Sequence, residues 1–346
     1  MEGLARYDRQ RTYQWNYDHP PTLLNRTAAP VAGEWTFCGR SVDSPLGIAA
    51  GPLLNGQWCL YYAGLGFDVV TYKTVRHRQR DCYPLPNLLP VKCDSLDGSE
   101  PFVQPADEML GSWAVSFGMP STWPETWRQD IAWTRENLPT TKLLSVSVVG
   151  TMQEGWSINE LAEDYAQTAA WAVESGADCI ETNFSCPNVS TCDGQLYLDF
   201  EASRQVASAV KSAIGDCPLA IKIGHMRIAD DTKRFMDAVG EHVSAIAMTN
   251  SIAAPVGVTD QQLLFDRQPR GICGRAIRDA SIRQVEQFSN SIQKGTANIE
   301  IIGIGGIETA ADVKRYLDAG ASSCHLATAV MIDPSVGLKI REDLST

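Results

Sequence analysis

Ile299-Glu300-Ile301-Ile302-Gly303-Ile304-Gly305-Gly306-Ile307 is the stretch on which the fold turns. Its near-continuous apolarity over 299–304 predicts a strand buried on both faces, as in a parallel sheet covered by helices. The two glycines that end it suit a tight turn and leave backbone N–H groups open to a ligand such as a phosphate. Outward from this point the same pattern recurs: short β-rich apolar runs, bounded by Gly or polar residues and separated by helical periodicity. Eight such runs are found, Leu46 to Gly51, Asp68 to Thr74, Leu143 to Gly150, Ala177 to Asn183, Leu219 to Gly224, Ser244 to Asn250, Ile299 to Gly306 and Ser322 to Thr328. Between them, Ser157-Ile158-Asn159-Glu160 reads as a capping box, Thr309-Ala310-Ala311-Asp312 opens a second helix, and Gly176 and Gly320 end helices just before strands. Eight strand–helix units predict an α/β fold, a (β/α)8 TIM barrel, whose functional groups sit on the loops after the C-terminal strand ends. A doubly wound sheet is the competing architecture, because repeated βα units do not by themselves demonstrate closure.

Two segments fall outside the repeat. Residues 1–35 precede the first strand and are expected to be an N-terminal extension that either wraps the surface or stays partly disordered. The span from about 76 to 141 is too long for a simple crossover and is rich in proline, so it is expected to fold over the barrel mouth as a lid or small subdomain. The chain is thus read as an extension followed by one barrel domain over 36–346 that contains this insertion.

Composition narrows the function classes. A net charge of -12 disfavours nucleic acid and anionic membrane surfaces as partners, so an anionic ligand must be met by local cations. The ten cysteines form no C-x-x-C pair and no ligand spacing with the five histidines, which predicts reduced thiols and no metal site. With no apolar leader and no stretch approaching eighteen apolar residues, a cytoplasmic protein is expected.

The chemistry is carried by what terminates the runs. Lys73 ends the second, Asn183 the fourth, Asn250-Ser251 the sixth, Gly305-Gly306 the seventh and Ala327-Thr328 the eighth, while Lys222 lies inside the fifth. A single polar strand end often just stabilises a loop, but several at the same end of a barrel make a site. Lysines inside apolar strands need an anionic partner or an electron-rich ring. After the fourth run, Asn183-Phe184-Ser185-Cys186-Pro187-Asn188 places a thiol between two amides, which suits a flat, amide-bearing substrate beside a proton-accepting cysteine; a buried structural thiol is the competing reading. His225 is expected to be satisfied by neighbouring backbone and His325 to be packing. Arg76, His77, Arg78 and Arg80 either guide an anion or solvate their loop.

The N-x-S-C-P-N motif resembles the dihydroorotate dehydrogenases, FMN-dependent barrels of pyrimidine biosynthesis. The likeness extends from about Trp35 to the C-terminus through Ala49-Ala50-Gly51, Tyr72-Lys73-Thr74, Ser116-Phe117-Gly118-Met119-Pro120, Asp199-Phe200-Glu201-Ala202, Ile221-Lys222, Thr249-Asn250-Ser251, the Gly303–Ile307 turn and Ala327-Thr328-Ala329. It is similar to the cytosolic class 1 branch, which uses cysteine as base. The resemblance implies that Cys186 removes the C5 proton of dihydroorotate while hydride leaves C6 for flavin N5. Asn183, Asn188, Asn250 and Ser251 would bind the pyrimidine, with Phe117, Gly118 and Met119 beside it, and Lys73 would serve substrate and flavin. Ala50, Gly51, Thr74 and Asn183 would line the flavin, and Lys222 would compensate charge on its reduced ring. A Gly271-Ile272-Cys273-Gly274 turn, Gly305-Gly306 and Ala327-Thr328 would hold the ribityl phosphate.

Where the family places an asparagine before Ser-Phe-Gly-Met-Pro, this chain has Val115. The same flavin chemistry on another dihydropyrimidine or unsaturated amide therefore stays open beside dihydroorotate. A non-redox phosphate-binding barrel is the third reading, resting on Gly305-Gly306 alone. The family also implies a homodimer and, absent a hydrophobic helix pair, no ubiquinone at a bilayer; fumarate, a nicotinamide-linked partner and oxygen remain open as electron acceptors.

Overall fold

The computed structural model describes residues 3–24, 26, 28–185, 195–293 and 299–345. All eight expected strands form: β1 (Leu46–Ile48), β2 (Val69–Val75), β3 (Leu143–Val148), β4 (Cys179–Asn183), β5 (Leu219–Lys222), β6 (Ala245–Met248), β7 (Glu300–Ile304) and β8 (Ser323–Leu326). Each pairs in parallel with its sequence neighbour, and β8 returns to β1 in the register Cys324↔Leu46, His325↔Gly47 and Leu326↔Ile48. That last pairing closes a (β/α)8 barrel and excludes the open doubly wound sheet.

Alternation along the strands divides the apolar residues into two sets. Val69, Leu143, Cys179, Ala220, Ala245 and Ile302 cluster around Phe37, whereas Val70, Leu144, Ile180, Ile221, Ile246 and Ile301 pack with the helices. Those helices are α1 (Gly56–Ala63), α2 (Pro124–Asn137), α3 (Ile158–Glu174), α4 (Phe200–Ile214), α5 (Ala229–Val239), α6 (Arg278–Gln293), α7 (Ala310–Asp318) and α8 (Val336–Ser345). Both expected capping boxes are present, Ser157 with Glu160 on α3 and Thr309 with Asp312 on α7. Gly176 and Gly320 follow α3 and α7 with φ of 104° and 105°, conformations that favour residues without a Cβ.

The N-terminal end of the barrel is plugged by a hairpin of Trp35–Phe37 and Arg40–Val42. Glu300 at the start of β7 fixes it by accepting from the amides of Cys38 (2.7 Å) and Gly39 (2.8 Å) and the hydroxyl of Thr36 (3.0 Å). Beside it Asp68, which is 1% exposed, receives Lys142 and Arg341, each at 2.9 Å, and the hydroxyl of Ser44. One carboxylate thereby ties the starts of β2 and β3 to α8.

At the other end, a five-stranded antiparallel sheet roofs the barrel in the order Ile252–Ala254, Arg270–Gly274, Ser112–Val115, Leu88–Lys92, Gln104–Pro105. The expected lid is therefore built jointly by the segment after β2 and the segment between β6 and α6. Within 76–141, α2 belongs to the barrel wall rather than the roof. Gly271-Ile272-Cys273-Gly274, expected as a turn, is a strand that pairs Gly271 with Val115 and Gly274 with Ser112. Its terminal glycine reflects close approach: a Cβ on Gly274 would lie 2.2 Å from the carbonyl oxygen of Gly111.

The N-terminal segment packs against the barrel through the short helix Tyr13–Asp18, capped by Thr12. Trp58 of α1 donates to the carbonyl of Asn16 at 3.2 Å and Tyr61 to that of Ala5 at 2.9 Å. Among the described residues no helix is long and apolar enough to cross a membrane.

Candidate active site

Between the roof sheet and the C-terminal strand ends lies a cavity that opens to solvent. Chain segments following β1 bring Ala50 and Gly51 to it, β2 brings Lys73 and Thr74, β4 brings Asn183 and β5 brings Lys222. Asn250 and Ser251 reach it from beyond β6, Gly305 and Gly306 from β7, and Ala327 and Thr328 from β8. The roof adds Cys273 and Gly274 together with Phe117, Gly118 and Met119. The described residues named from the sequence for substrate and flavin thus line one space, whereas Arg76, His77, Arg78, Arg80 and His225 are not part of its lining; Cys186 and Asn188 lie outside the described residues. Unforeseen were the apolar walls Leu88, Trp113, Ile277 and Met331, and the acidic rim residue Glu308.

Lys73 is 7% exposed, donates to the Gly51 carbonyl at 3.1 Å and sits 4.6 Å from the centre of the Phe117 ring. Thr74 and Ser147 share a hydroxyl hydrogen bond of 3.0 Å, which fixes the adjacent strand ends together. Asn183 is held from several sides. Its carbonyl accepts from Tyr165 at 3.1 Å, its side-chain oxygen receives the Ser185 amide at 3.1 Å, and its amide nitrogen meets the Met119 sulfur at 3.5 Å. Asn250 donates to the Ser185 carbonyl at 2.8 Å, so the two asparagines pin the chain where the Asn-x-Ser-Cys loop departs.

Lys222 is ion-paired with Glu181, both essentially buried. The anion expected for this lysine is therefore supplied by β4 itself, and the pair presents a dipole to the cavity instead of a net charge. Alternation could have exposed Glu181, since it lies two residues before inward Asn183 on the strand adjacent to Lys222.

The glycines have separable reasons. A Cβ on Gly51 would meet nothing within 4 Å, leaving a smooth backbone edge beside the cavity. Gly305 and Gly306 adopt φ of 123° and 67°, and a Cβ on either would collide with α6 at Ser281 (2.4 Å) or Arg278 (2.7 Å). A flat ring beside Gly51 and an anion near the β7 and β8 glycine and small-residue ends both fit this lining.

His325 stacks on Phe37 with ring centres 5.4 Å apart and is 1% exposed. Gly47 opposite it is obligatory, because a Cβ there would come within 2.4 Å of the imidazole. Neither ring nitrogen has a protein partner among the described residues. Burial first, then the neighbouring Lys222, pushes the imidazole down to about 3 from its usual 6.5. The fold thus holds the neutral form: its contribution is complete above pH 6.5 and is lost as pH falls toward 3, because the unfolded chain then binds the extra proton. In chemical unfolding, lowering pH from 7 to 4 is expected to cost wild type about 3 kcal/mol more than a His325→Gln variant. Equal losses would show that His325 is not a source of acid sensitivity.

Two other expectations change. His225 bonds the side-chain oxygen of Gln284 at 3.0 Å, not backbone. Arg76 is fully buried and clasps the carbonyls of Met119 (3.1 Å) and Gly150 (2.6 Å), so it braces the cavity wall rather than solvating a loop. His77 joins buried Asp164 at 2.9 Å, while Arg78 is exposed. Among the described residues no three His, Cys, Asp or Glu side chains gather as metal ligands.

Comparison with known proteins agrees with this architecture. The profile of the family described as dihydroorotate dehydrogenase matches residues 33–346. The dihydroorotate dehydrogenase of Dictyostelium discoideum is 33% identical over 322 residues, covering 88% of this chain and 86% of that protein. The catalytic subunit of the NAD(+)-linked dihydroorotate dehydrogenase B of Methanothermobacter thermautotrophicus is 28% identical over 237 residues, 67% of this chain and 71% of that one. In fold, the crystal structure of Eimeria tenella DHODH in complex with ferulenol superposes with a TM-score of 0.72 at 17% identity, over 96% of this chain and 88% of that chain. The profile match begins just ahead of the plugging hairpin and runs through the whole barrel and its roof to the last residue, and the chain belongs to the dihydroorotate dehydrogenase family.

Proposed function

We propose that this chain is an FMN-dependent dihydroorotate dehydrogenase of the cytosolic class 1 type, oxidising dihydroorotate to orotate, with Cys186 as the base. Members of the family are oxidoreductases acting on CH–CH bonds. The observation that carries the finer reading is the convergence of Lys73, Asn183, Asn250 and Lys222, the last paired with Glu181 behind it, with side-chain-free backbone, on one roofed cavity.

Bound FMN supplies the hydride acceptor. The protein's part is binding, orientation and one proton. Gly51, Ala50 and Thr74 offer a low-relief wall for a flat ring, and Cys273, Gly274, Gly305, Gly306, Ala327 and Thr328 accommodate the phosphate end. Asn183, Asn188, Asn250 and Ser251 present amide and hydroxyl groups to the pyrimidine edges. Lys73 meets the substrate carboxylate, supplying the local cation that an acidic protein otherwise lacks. Cys186 takes the C5 proton. The roof sheet keeps bulk water from the reacting atoms.

Val115 favours a second reading. It lines the cavity as an apolar residue where one more hydrogen-bonding side chain would strengthen carboxylate binding by about 1–3 kcal/mol, and so it admits a dihydropyrimidine lacking that group. Anaerobic titration of the FMN-loaded protein separates the two. Dihydroorotate is expected to bleach the flavin band while dihydrouracil leaves it nearly unchanged; bleaching by dihydrouracil alone overturns the first reading.

A further inference from the structure

The N-terminal segment reaches the candidate site through aromatic contacts to two of its lining residues, Lys73 and Phe117. Tyr13 is 8% exposed, and its ring centre lies 5.6 Å from Lys73 Nζ. Phe117 approaches the same ammonium at 4.6 Å, and the Tyr13 and Phe117 rings meet at 6.0 Å and 71°. Tyr7 braces Phe117 from another side, edge to face at 5.9 Å. Burial keeps the Tyr13 phenol well above its usual range, so the ring remains neutral.

This arrangement is built rather than incidental. Asn16, 1% exposed, accepts from the Asp8 amide at 2.7 Å and donates to the carbonyls of Asp8 (3.0 Å) and Thr12 (2.9 Å), folding the segment back on itself. Asn55 donates to the Tyr17 carbonyl at 2.9 Å and fastens the short helix to the start of α1.

We propose that Tyr13 is a positioning residue for substrate: with Phe117 it forms an aromatic clamp that holds the Lys73 ammonium beside the Gly51 carbonyl, aimed at the carboxylate of a dihydropyrimidine acid. The clamp rests on the dihydroorotate reading for its substrate, but not for its geometry. A ring face attracts a cation through its quadrupole, and the attraction grows where water is excluded. Losing one of the two rings frees the long lysine side chain to sample other rotamers, which weakens the carboxylate contact more than cofactor binding. Tyr7 packs on Phe117 edge to face, so its removal is a control for loss of an aromatic neighbour of the clamp.

The test uses the full-length protein loaded with FMN, and calorimetric binding of orotate as the carboxylate probe. Tyr13→Leu is expected to weaken orotate binding about 5- to 20-fold, while Tyr13→Phe and Tyr7→Leu stay within about twofold of wild type. FMN affinity, measured on apoprotein, is expected to change less than twofold in all three. Pentafluorophenylalanine at position 13 keeps the volume while reversing the ring quadrupole, and is expected to match Tyr13→Leu even if the leucine variant folds poorly. Independently of any substrate, carbon-13 labelled lysine reports the clamp, since flanking rings shift the Lys73 side-chain resonances upfield; that shift is expected to shrink in Tyr13→Leu, where Phe117 alone remains, and to survive in full in Tyr13→Phe. An unchanged shift in Tyr13→Leu overturns the clamp, and parallel losses of orotate and FMN affinity overturn the substrate-positioning role. Wild-type protein that shows the shift yet binds no orotate overturns the dihydroorotate reading and leaves the clamp standing.

Discussion

Cys186→Ala is expected to lower dihydroorotate-dependent turnover by about 10²- to 10⁴-fold while the purified protein stays yellow. The two halves of this result come from different parts of the molecule. On the proposed function, cofactor retention depends on strand ends and roof residues that line the cavity, among them Gly51, Thr74, Lys222 and Gly305, and the substitution leaves these in place. On the same proposal, turnover depends on removing a carbon-bound proton, and alanine has no group to accept it. Asn183 and Asn250 hold Ser185, the residue before the cysteine, so the chain enters the loop from a fixed point. Cys186→Ser is expected to recover part of the rate, with the optimum displaced to higher pH, because an alcohol yields its proton less readily than a thiol of ordinary pKa near 8.5. Stopped-flow reduction of the bound flavin by dihydroorotate checks both variants. A Cys186→Ala protein that reduces its flavin at the wild-type rate removes the cysteine from the mechanism.

Asp68→Ala is expected to cost about 3–5 kcal/mol in urea unfolding. Asp68 compensates Lys142 and Arg341, whose side chains are 9% and 5% exposed, so its removal leaves two buried cations facing each other without a counter-charge. The same change frees the Ser44 hydroxyl and loosens α8 from β2. Because these groups sit at the closed end of the barrel, the folded fraction is expected to bind FMN with unchanged affinity. A loss below about 1 kcal/mol would mean that the cations find solvent or backbone partners as good as the carboxylate.

The barrel was legible in the sequence because its strands are buried on both faces and so carry near-continuous apolar runs. Ile299–Ile304 and Leu143–Val148 stand out against the amphipathic helices between them for that reason. The site was legible because polar residues such as Lys73 and Asn183 interrupt those runs at one end. Glu181 escaped because a single acid within a strand reads as a surface position until the neighbouring strand is known to hold Lys222. The strand at Gly271–Gly274 escaped for a different reason: its partner is Ser112–Val115, and no local periodicity announces pairing with a distant segment. Tyr7 and Tyr13 lie in a stretch too short and irregular to show a pattern, and their burial is decided by Phe117 and α1 rather than by their own neighbours.

The roof sheet has a consequence for how the protein is made. Its central pairing joins Ser112–Val115 to Arg270–Gly274, and the barrel beneath it closes when β8 meets β1, so neither exists on a ribosome-bound chain that lacks its C-terminal part. Contacts this distant in sequence form late in folding. A nascent chain therefore carries Lys73 and Gly51 long before it has the other walls of the cavity, and cofactor capture belongs to the finished polypeptide, as a step of maturation after release.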